Sequence, residues 1–187
     1  MSRNQRPDPQ RQSRFKRFEE DFRATGCRNV PGPDNRDTRP LGNQITGNML
    51  LDDLLYQIYQ GVKPVINFET FYIAIFDETY ETLAFPFVIH NDQRQEWEVH
   101  ALNKGYTSQV ITAGKVIHVT LSNQHTFADL APAPPERQAA AFIGVPLTVG
   151  EDRFGVMAVA HYSNARAFNE TDVVLLEALG SQTAVAI

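Results

Sequence analysis

Five histidines, one cysteine and scattered carboxylates are the residues of this 187-residue chain best suited to chemistry. Imidazole ligates haem and metal ions and changes charge near neutral pH. The spacings of His90, His100, His118, His125 and His161 nevertheless fit no zinc motif. His118 and His161 fall in predicted strands, where a lone histidine is more often a hydrogen-bonded core or rim residue. His125 lies in a polar stretch and is the best single candidate for a haem ligand; no metal ligand set is assigned. Cys27 is alone, which excludes an internal disulfide and any zinc site built on several thiolates. No two carboxylates share an apolar setting of the kind glycoside hydrolysis needs. The pattern therefore points to recognition rather than catalysis, and no catalytic residue is assigned. The aromatics, among them Phe71, Tyr72, Phe76, Phe85, Phe87, Trp97, Phe127 and Phe142, are read mostly as core.

The elements that position these residues are organised around residues 141–162, AFIGVPLTVGEDRFGVMAVAHY. Ile143, Val145, Leu147 and Val149 alternate with Phe142, Gly144, Pro146 and Thr148, and neither face is charged. Phe154, Val156, Ala158 and Ala160 alternate in the same way with Gly155, Met157, Val159 and His161. Strands apolar on both faces are covered on both faces, so this hairpin belongs in the middle of a sheet. Gly150-Glu151-Asp152 is its turn, where Gly150 takes a positive φ without steric cost.

A helix over residues 47–62 is predicted from Leu51, Leu54, Leu55, Ile58, Tyr59 and Val62, with Asn48 as cap and Gly61 and Pro64 as stops. Residues 71–76 and 82–89 read as a second hairpin, and Pro86 demotes its second strand to a sheet edge. Residues 90–140 are more polar and less periodic. They hold a short helix from Gly105 to Ala113, a strand at Val116–Val119 and a proline-bearing loop. Asn169 caps a last helix with Asp172 completing a capping box, and no stop signal precedes Ile187. A helix that continues into a longer protein is the expectation.

Composition sets outer bounds. Hydrophobic residues make up 42% and charged residues 21%, an ordinary globular balance with no run approaching a membrane span. Residues 1–40 carry ten Lys/Arg against six Asp/Glu, net +4, and the rest carries seven against sixteen, net −9. Basic and acidic residues are mixed in the first part and the body is acidic, so neither nucleic acid nor membrane is expected as a partner. With no secretory leader visible, a cytoplasmic protein is expected. Residues 1–44 read as a flexible segment, with a candidate short helix carrying Phe15, Phe18 and Phe22 and a proline-rich linker over 28–44; residues 45–187 read as one domain.

The order helix, hairpin, irregular crossover, hairpin, helix resembles the GAF domain family. FYIAIFDETYETLAFPFVI is similar to its first hairpin and GYTSQVITAGKVIHV to its G-x-x-x-x-V-x-x-x-G-x-P helix and strand, with Lys115-Val116 where proline is frequent. AFIGVPLTVGEDRFGVMAVAHY is similar to the hairpin in which G-V-P-L precedes G-V-x-x-V, and FNETDVVLLEALGSQTAVAI to the closing helix.

The resemblance implies an α+β, GAF/PAS-like fold: a central antiparallel sheet of about five to six strands, helices 47–62 and 169–187 on one face, and the crossover covering a small-molecule pocket on the other. It implies a sensory input domain of a bacterial signalling protein, such as a histidine kinase in a two-component system, forming homodimers through the two terminal helices. The implied ligand-binding residues are Tyr72, Phe87, Trp97, Tyr106, His118, Phe127 and Phe142. Neither the small molecule nor a cofactor is named by the sequence.

Members that reduce free methionine sulfoxide need several reactive cysteines, which this chain lacks, and no Asp-Ile-Pro segment is present to hold a bilin. The cyclic-nucleotide signature is matched only in part, by Asn103-Lys104, Phe127 and Asp129, with Lys104 or Arg137 as candidate phosphate donors. A dimerisation module with a vestigial pocket, and a haem or cyclic-nucleotide sensor, are the alternative readings. The surplus apolar surface of the two helices, including Leu55 and Val174, is the expected dimer contact.

Overall fold

The computed structural model describes residues 45–77, 81–102, 105–123 and 139–187. The 1–44 segment, Cys27, Asn103, Lys104, His125, Phe127, Asp129 and Arg137 lie outside the described residues. The chain divides into two compact units, Met1–Leu54 and Leu55–Ile187. Of the first, the described part is the opening stretch of helix α1 (Ile45–Val62). That helix is already running at Ile45, so Asn48 lies inside it and is not its cap. The second unit holds the remainder of α1, the whole sheet and two further helices.

Its strands are β1 (Thr70–Asp77), β2 (Thr82–His90), β3 (Gln93–Gln95), β4 (His100–Ala101), β5 (Ile117–Val119), β6 (Ala141–Val149) and β7 (Asp152–His161). Helices α2 (Tyr106–Ala113) and α3 (Glu170–Ala186) complete the order. The seven strands form one antiparallel sheet, ordered β3-β2-β1-β7-β6-β5 with β4 also beside β2. The fold is the expected α+β one, with two short strands more than the periodicity announced.

The predicted central hairpin is β6–β7, turning at Gly150 with φ 65°. Alternation along it sorts two interiors. Val145 faces α3, whose Gly180 leaves no room for a side chain: a Cβ there would meet Val145 Cγ2 at 2.7 Å. On the other face, a Cβ on Gly144 would meet the Phe142 ring at 2.6 Å and Val110 of α2 at 2.8 Å. Leu55, Tyr59 and Val62 of α1 are buried, and the Tyr59 ring packs on Phe71 and Phe87 at 5.9 and 6.4 Å. Since Ile73 pairs with Met157 and Met157 lies near Gly180, these contacts share a face with α3. We call it the helix face, and the side covered by α2 the crossover face.

Local signals explain the joints. Asn169 accepts from the N–H groups of Thr171 and Asp172 at 2.7 and 3.3 Å, and Asp172 accepts from the Asn169 N–H at 2.8 Å. That is the predicted capping box, and such a cap contributes about 1 kcal/mol. Gly114 closes α2 in the left-handed conformation, φ 61°. Arg153 of β7 donates to the Ile111 carbonyl at 2.8 Å, placing a cation where the α2 dipole is negative.

Pro86 does something other than make an edge. Ile73 pairs with Phe87 but Ile75 pairs with Ala84, so Phe85 and Pro86 together oppose Ala74 in a β-bulge. Beyond it β2 is flanked by β3 and β4, which pair on either side of Pro86 and leave its own position free of a ladder. The Pro86 carbonyl accepts from Arg94 Nη2 at 2.6 Å instead. Asn91 and Asp92, at φ 49° and 64°, make the two-residue turn from β2 to β3, a conformation that asparagine and aspartate tolerate.

Candidate functional site

The bulge decides which aromatics meet. Without it, Phe85 and Phe87 would share a face. With it, Leu83, Phe85 and Val88 face the crossover side and Phe87 faces the other way. Phe85 lies 5.7 Å from the Tyr72 ring and 5.3 Å from Trp97, and Tyr72 lies 5.2 Å from Trp97. His100 of β4 stacks on Phe85 at 5.1 Å. Across the same face, Tyr106 of α2 meets Phe142 of β6 at 5.1 Å. Pairs at these separations contribute about 0.5–1.5 kcal/mol each beyond burial.

A buried polar bond crosses this interior. The Tyr72 and Thr107 hydroxyls lie 2.6 Å apart, buried, and tie the middle of β1 to the first turn of α2. Thr107 and Ser108 are both buried. The described part of the site thus offers aromatic faces and hydroxyls, with no carboxylate, thiol or ammonium among the residues just named. Such a set binds by stacking and hydrogen bonding. Among the described residues, no group of three or more His, Cys, Asp and Glu side chains could hold a metal ion.

Of the seven residues expected at the site, Tyr72, Trp97, Tyr106 and Phe142 belong to one cluster on the crossover face. Phe87 and His118 do not. Phe87 packs on Tyr59 and Phe71, with the Arg94 guanidinium 4.0 Å from its ring centre, because the bulge turned it over. His118 pairs with Ile143 while its neighbours Ile117 and Val119 join the crossover cluster, so it points to the helix face. There its Nδ1 lies 3.4 Å from Glu170 Oε1 at the start of α3. Phe127, and His125 with it, lie outside the described residues. Sequence reasoning passed over Phe85, His100 and Thr107 as site residues. Proline in a strand was the available signal for the first, since it marks bulges as well as edges.

Two polar features stand apart from the cluster. A cleft of about 310 Å³ between Thr120–Ser122 and Ala165–Phe168 is lined by Thr120, Leu121, Ser122, Ala165, Arg166 and Phe168. At the end of the sheet, Glu69 accepts from the Tyr162 N–H at 2.9 Å and from Ser163 Oγ at 2.5 Å, and lies 3.0 Å from His161 Nδ1. Burial alone would raise the Glu69 carboxyl. The Ser163 and Tyr162 hydrogen bonds and the neighbouring His161 and His90 together bring it below its ordinary value.

An open antiparallel sheet with α1 and α3 on one face and α2 on the other is an α+β architecture. A model of the GAF domain matches residues 48–187, and the chain belongs to the GAF domain family. Residues 122 to 287 of a methyl-accepting chemotaxis protein are 24% identical, with 76% of this chain and 93% of that one covered and a TM-score of 0.61. The GAF domain of a two-component sensor histidine kinase from Bacillus halodurans is 16% identical, with 73% and 92% covered and a TM-score of 0.58. A type II free methionine-R-sulfoxide reductase from Thermoplasma acidophilum is 13% identical, with 73% and 92% covered and a TM-score of 0.58. At these identities the likeness concerns the fold. No curated protein matches the sequence. Among the described residues no helix is long and apolar enough to cross a membrane.

Proposed function

We propose that this chain is the small-molecule-sensing input domain of a bacterial signal-transduction protein, a histidine kinase or related regulator in the cytoplasm, without catalysis of its own. The ligand occupies the crossover face, against Tyr72, Trp97, Tyr106 and Phe142, with Phe85 and Thr107 added to the set. The observation that carries this reading is the Tyr72–Thr107 bond, which makes the seat of α2 depend on a buried polar contact inside an aromatic interior. A molecule that stacks on these rings and competes for that hydroxyl pair shifts α2 between two positions. Two copies associate through α1 and α3, whose outer surface exposes Tyr56, Val174 and Val185. A single cysteine supports a regulatory rather than a reductase role, because members that reduce methionine sulfoxide use several.

A second reading rests on the same rings. They lie 5.1–5.7 Å from one another, as the side chains of a filled core do. On that reading the chain is a dimerisation module with a vestigial pocket. Native mass spectrometry and an absorption spectrum of the purified chain separate the two. A bound small molecule, retained by wild type and lost from Tyr106→Ala, supports sensing. Chain mass alone, with no ligand in a metabolite screen changing Trp97 fluorescence, supports the second reading.

A further inference from the structure

At the end of the sheet opposite the β6–β7 turn, one nitrogen has two incompatible neighbours. His161 Nδ1 lies 3.0 Å from Glu69 Oε1, a carboxylate oxygen that can only accept. It also receives the Asn164 backbone N–H at 3.2 Å, a group that can only donate. An imidazole nitrogen carries either a lone pair or a proton, so it serves one of these neighbours at a time. With the lone pair, as in the neutral ring whose proton is on Nε2, it holds Asn164 and abuts the carboxylate. With a proton it donates to Glu69 and has nothing to offer the Asn164 N–H. We propose that the neutral ring keeps its proton on Nε2 and that His161 is a proton-operated selector at the root of the loop between β7 and α3, closing the 162–164 turn when neutral and releasing it to bind Glu69 when protonated.

The surroundings suit this role. His161 has a side chain only 12% exposed, so water replaces neither partner freely. Glu69 is fixed by its own contacts: Ser163 Oγ, itself 3.4 Å from Nδ1, and the Tyr162 N–H both donate to it. Also close to Glu69 is His90 of β2, whose ring bonds Thr70 Oγ1 at 2.7 Å through Nδ1 and Asn91 Nδ2 at 3.1 Å through Nε2, edge-on to Tyr162. From β6, His161 is opposed by Ala141, which brings no charge. The buried residues of α3, Leu176, Gly180, Thr183 and Ala184, bring none either. At the end of α1, Lys63 is engaged with Asp92 at 2.6 Å. The carboxyl below its ordinary value keeps Glu69 charged throughout the range in which histidine titrates.

Asn164 is the pivot through which the change is read. Its carbonyl accepts the Ala167 N–H at 3.2 Å and its side chain accepts the Arg166 N–H at 3.0 Å. The next carbonyl, of Ala165, accepts the Leu121 N–H at 3.1 Å. Loosening the turn therefore reaches both the segment after β5 and the cap of α3. This holds whether or not a ligand binds the crossover face.

The test uses the full chain, labelled with nitrogen-15 and titrated from about pH 8 to about pH 5, the range of histidine switching. The Asn164 amide resonance moves upfield as it loses its acceptor, with the same midpoint as the His161 ring signals. An Asn164 amide that ignores the titration of the ring overturns the proposal. So does a ring that stays neutral throughout.

Discussion

The two faces of the sheet are built from alternate residues of the same strands, yet they are different interiors. The helix face is made of Phe71, Ile73, Phe87, Val145 and Met157 against α1 and α3, with a helix glycine pressed onto Val145. The buried hydroxyl α3 brings, that of Thr183, is bonded within its own helix to the Leu179 carbonyl at 2.8 Å. The crossover face is made of Tyr72, Phe85, Trp97, Tyr106 and Phe142, and a bond between two elements, Tyr72 to Thr107, runs through it. The polar ties of the first interior are only part-buried or exposed: the Tyr59 hydroxyl donates to Asp92 at 2.7 Å and His118 Nδ1 lies 3.4 Å from Glu170. The Tyr72–Thr107 bond of the second is buried, and such contacts are where a small molecule competes. One face is scaffold, and the other is the candidate sensor.

Breaking the scaffold has the largest expected effect. Val145 is 1% exposed, and Val145→Asp buries an unpaired charge at a cost of several kcal/mol, enough to unfold a domain of ordinary stability. Thr148→Asp, three residues along and exposed, is the control. Urea denaturation followed by circular dichroism measures both, and a Val145→Asp chain with the wild-type midpoint contradicts the assignment of that face.

Packing on the crossover side is tested by Gly144→Ala. The new methyl meets the Phe142 ring and Val110, which must shift, at about 1–3 kcal/mol. Tyr72→Phe is milder, at about 1 kcal/mol for the lost hydrogen bond, and its mark is local. Amides of Tyr106–Ala113 lose protection while those of β6 and β7 keep theirs. Equal loss everywhere means that the bond supports the whole core and does not set α2 apart.

How far the sequence spoke depends on the same two faces. The strands of β6 and β7, their turn at Gly150, the cap at Asn169 and the stop at Gly114 were legible, because each depends on residues close together in the chain. The location of Phe87 was not. One extra residue at Pro86 inverts every later side chain of β2, and period-2 alternation carries no record of it. His118 was misplaced for a related reason: a three-residue strand is too short for its pattern to say which face is which. Strands β3 and β4 were missed because Gln93–Gln95 and His100–Ala101 have no apolar alternation and exist by pairing with β2. Leu55 was read as a surface for dimer contact, yet it is 1% exposed and belongs to the core. Among the described residues of the two helices, the outward large apolar ones are Tyr56, 50% exposed, Val174, 66% exposed, and Val185, 80% exposed.

That correction sharpens the association prediction. Val174→Glu with Val185→Glu should convert a dimer to monomer in sedimentation at tens of micromolar and leave the melting midpoint within about 0.5 kcal/mol in equivalent stability, as exposed substitutions do. A wild-type chain that is already monomeric at millimolar concentration removes the dimer from the account.

The smallest expected effect is electrostatic. The Glu69 carboxyl lies below its ordinary value of 4.5 in the folded chain, so its contribution is complete above that pH and is lost as pH falls toward the lowered folded value. Stability of wild type minus Glu69→Gln, measured by urea denaturation, should shrink as pH falls below about 4.5. A difference that keeps growing below that pH contradicts the assigned direction.

The contrast between scaffold and sensor is tested most directly by backbone amide hydrogen exchange on the full chain without added ligand. The account predicts that Gln93–Ala101 and Tyr106–Ala113 exchange faster than Ala141–His161, because the crossover elements are short. Equal protection across the two sets would contradict it and leave the crossover face as core.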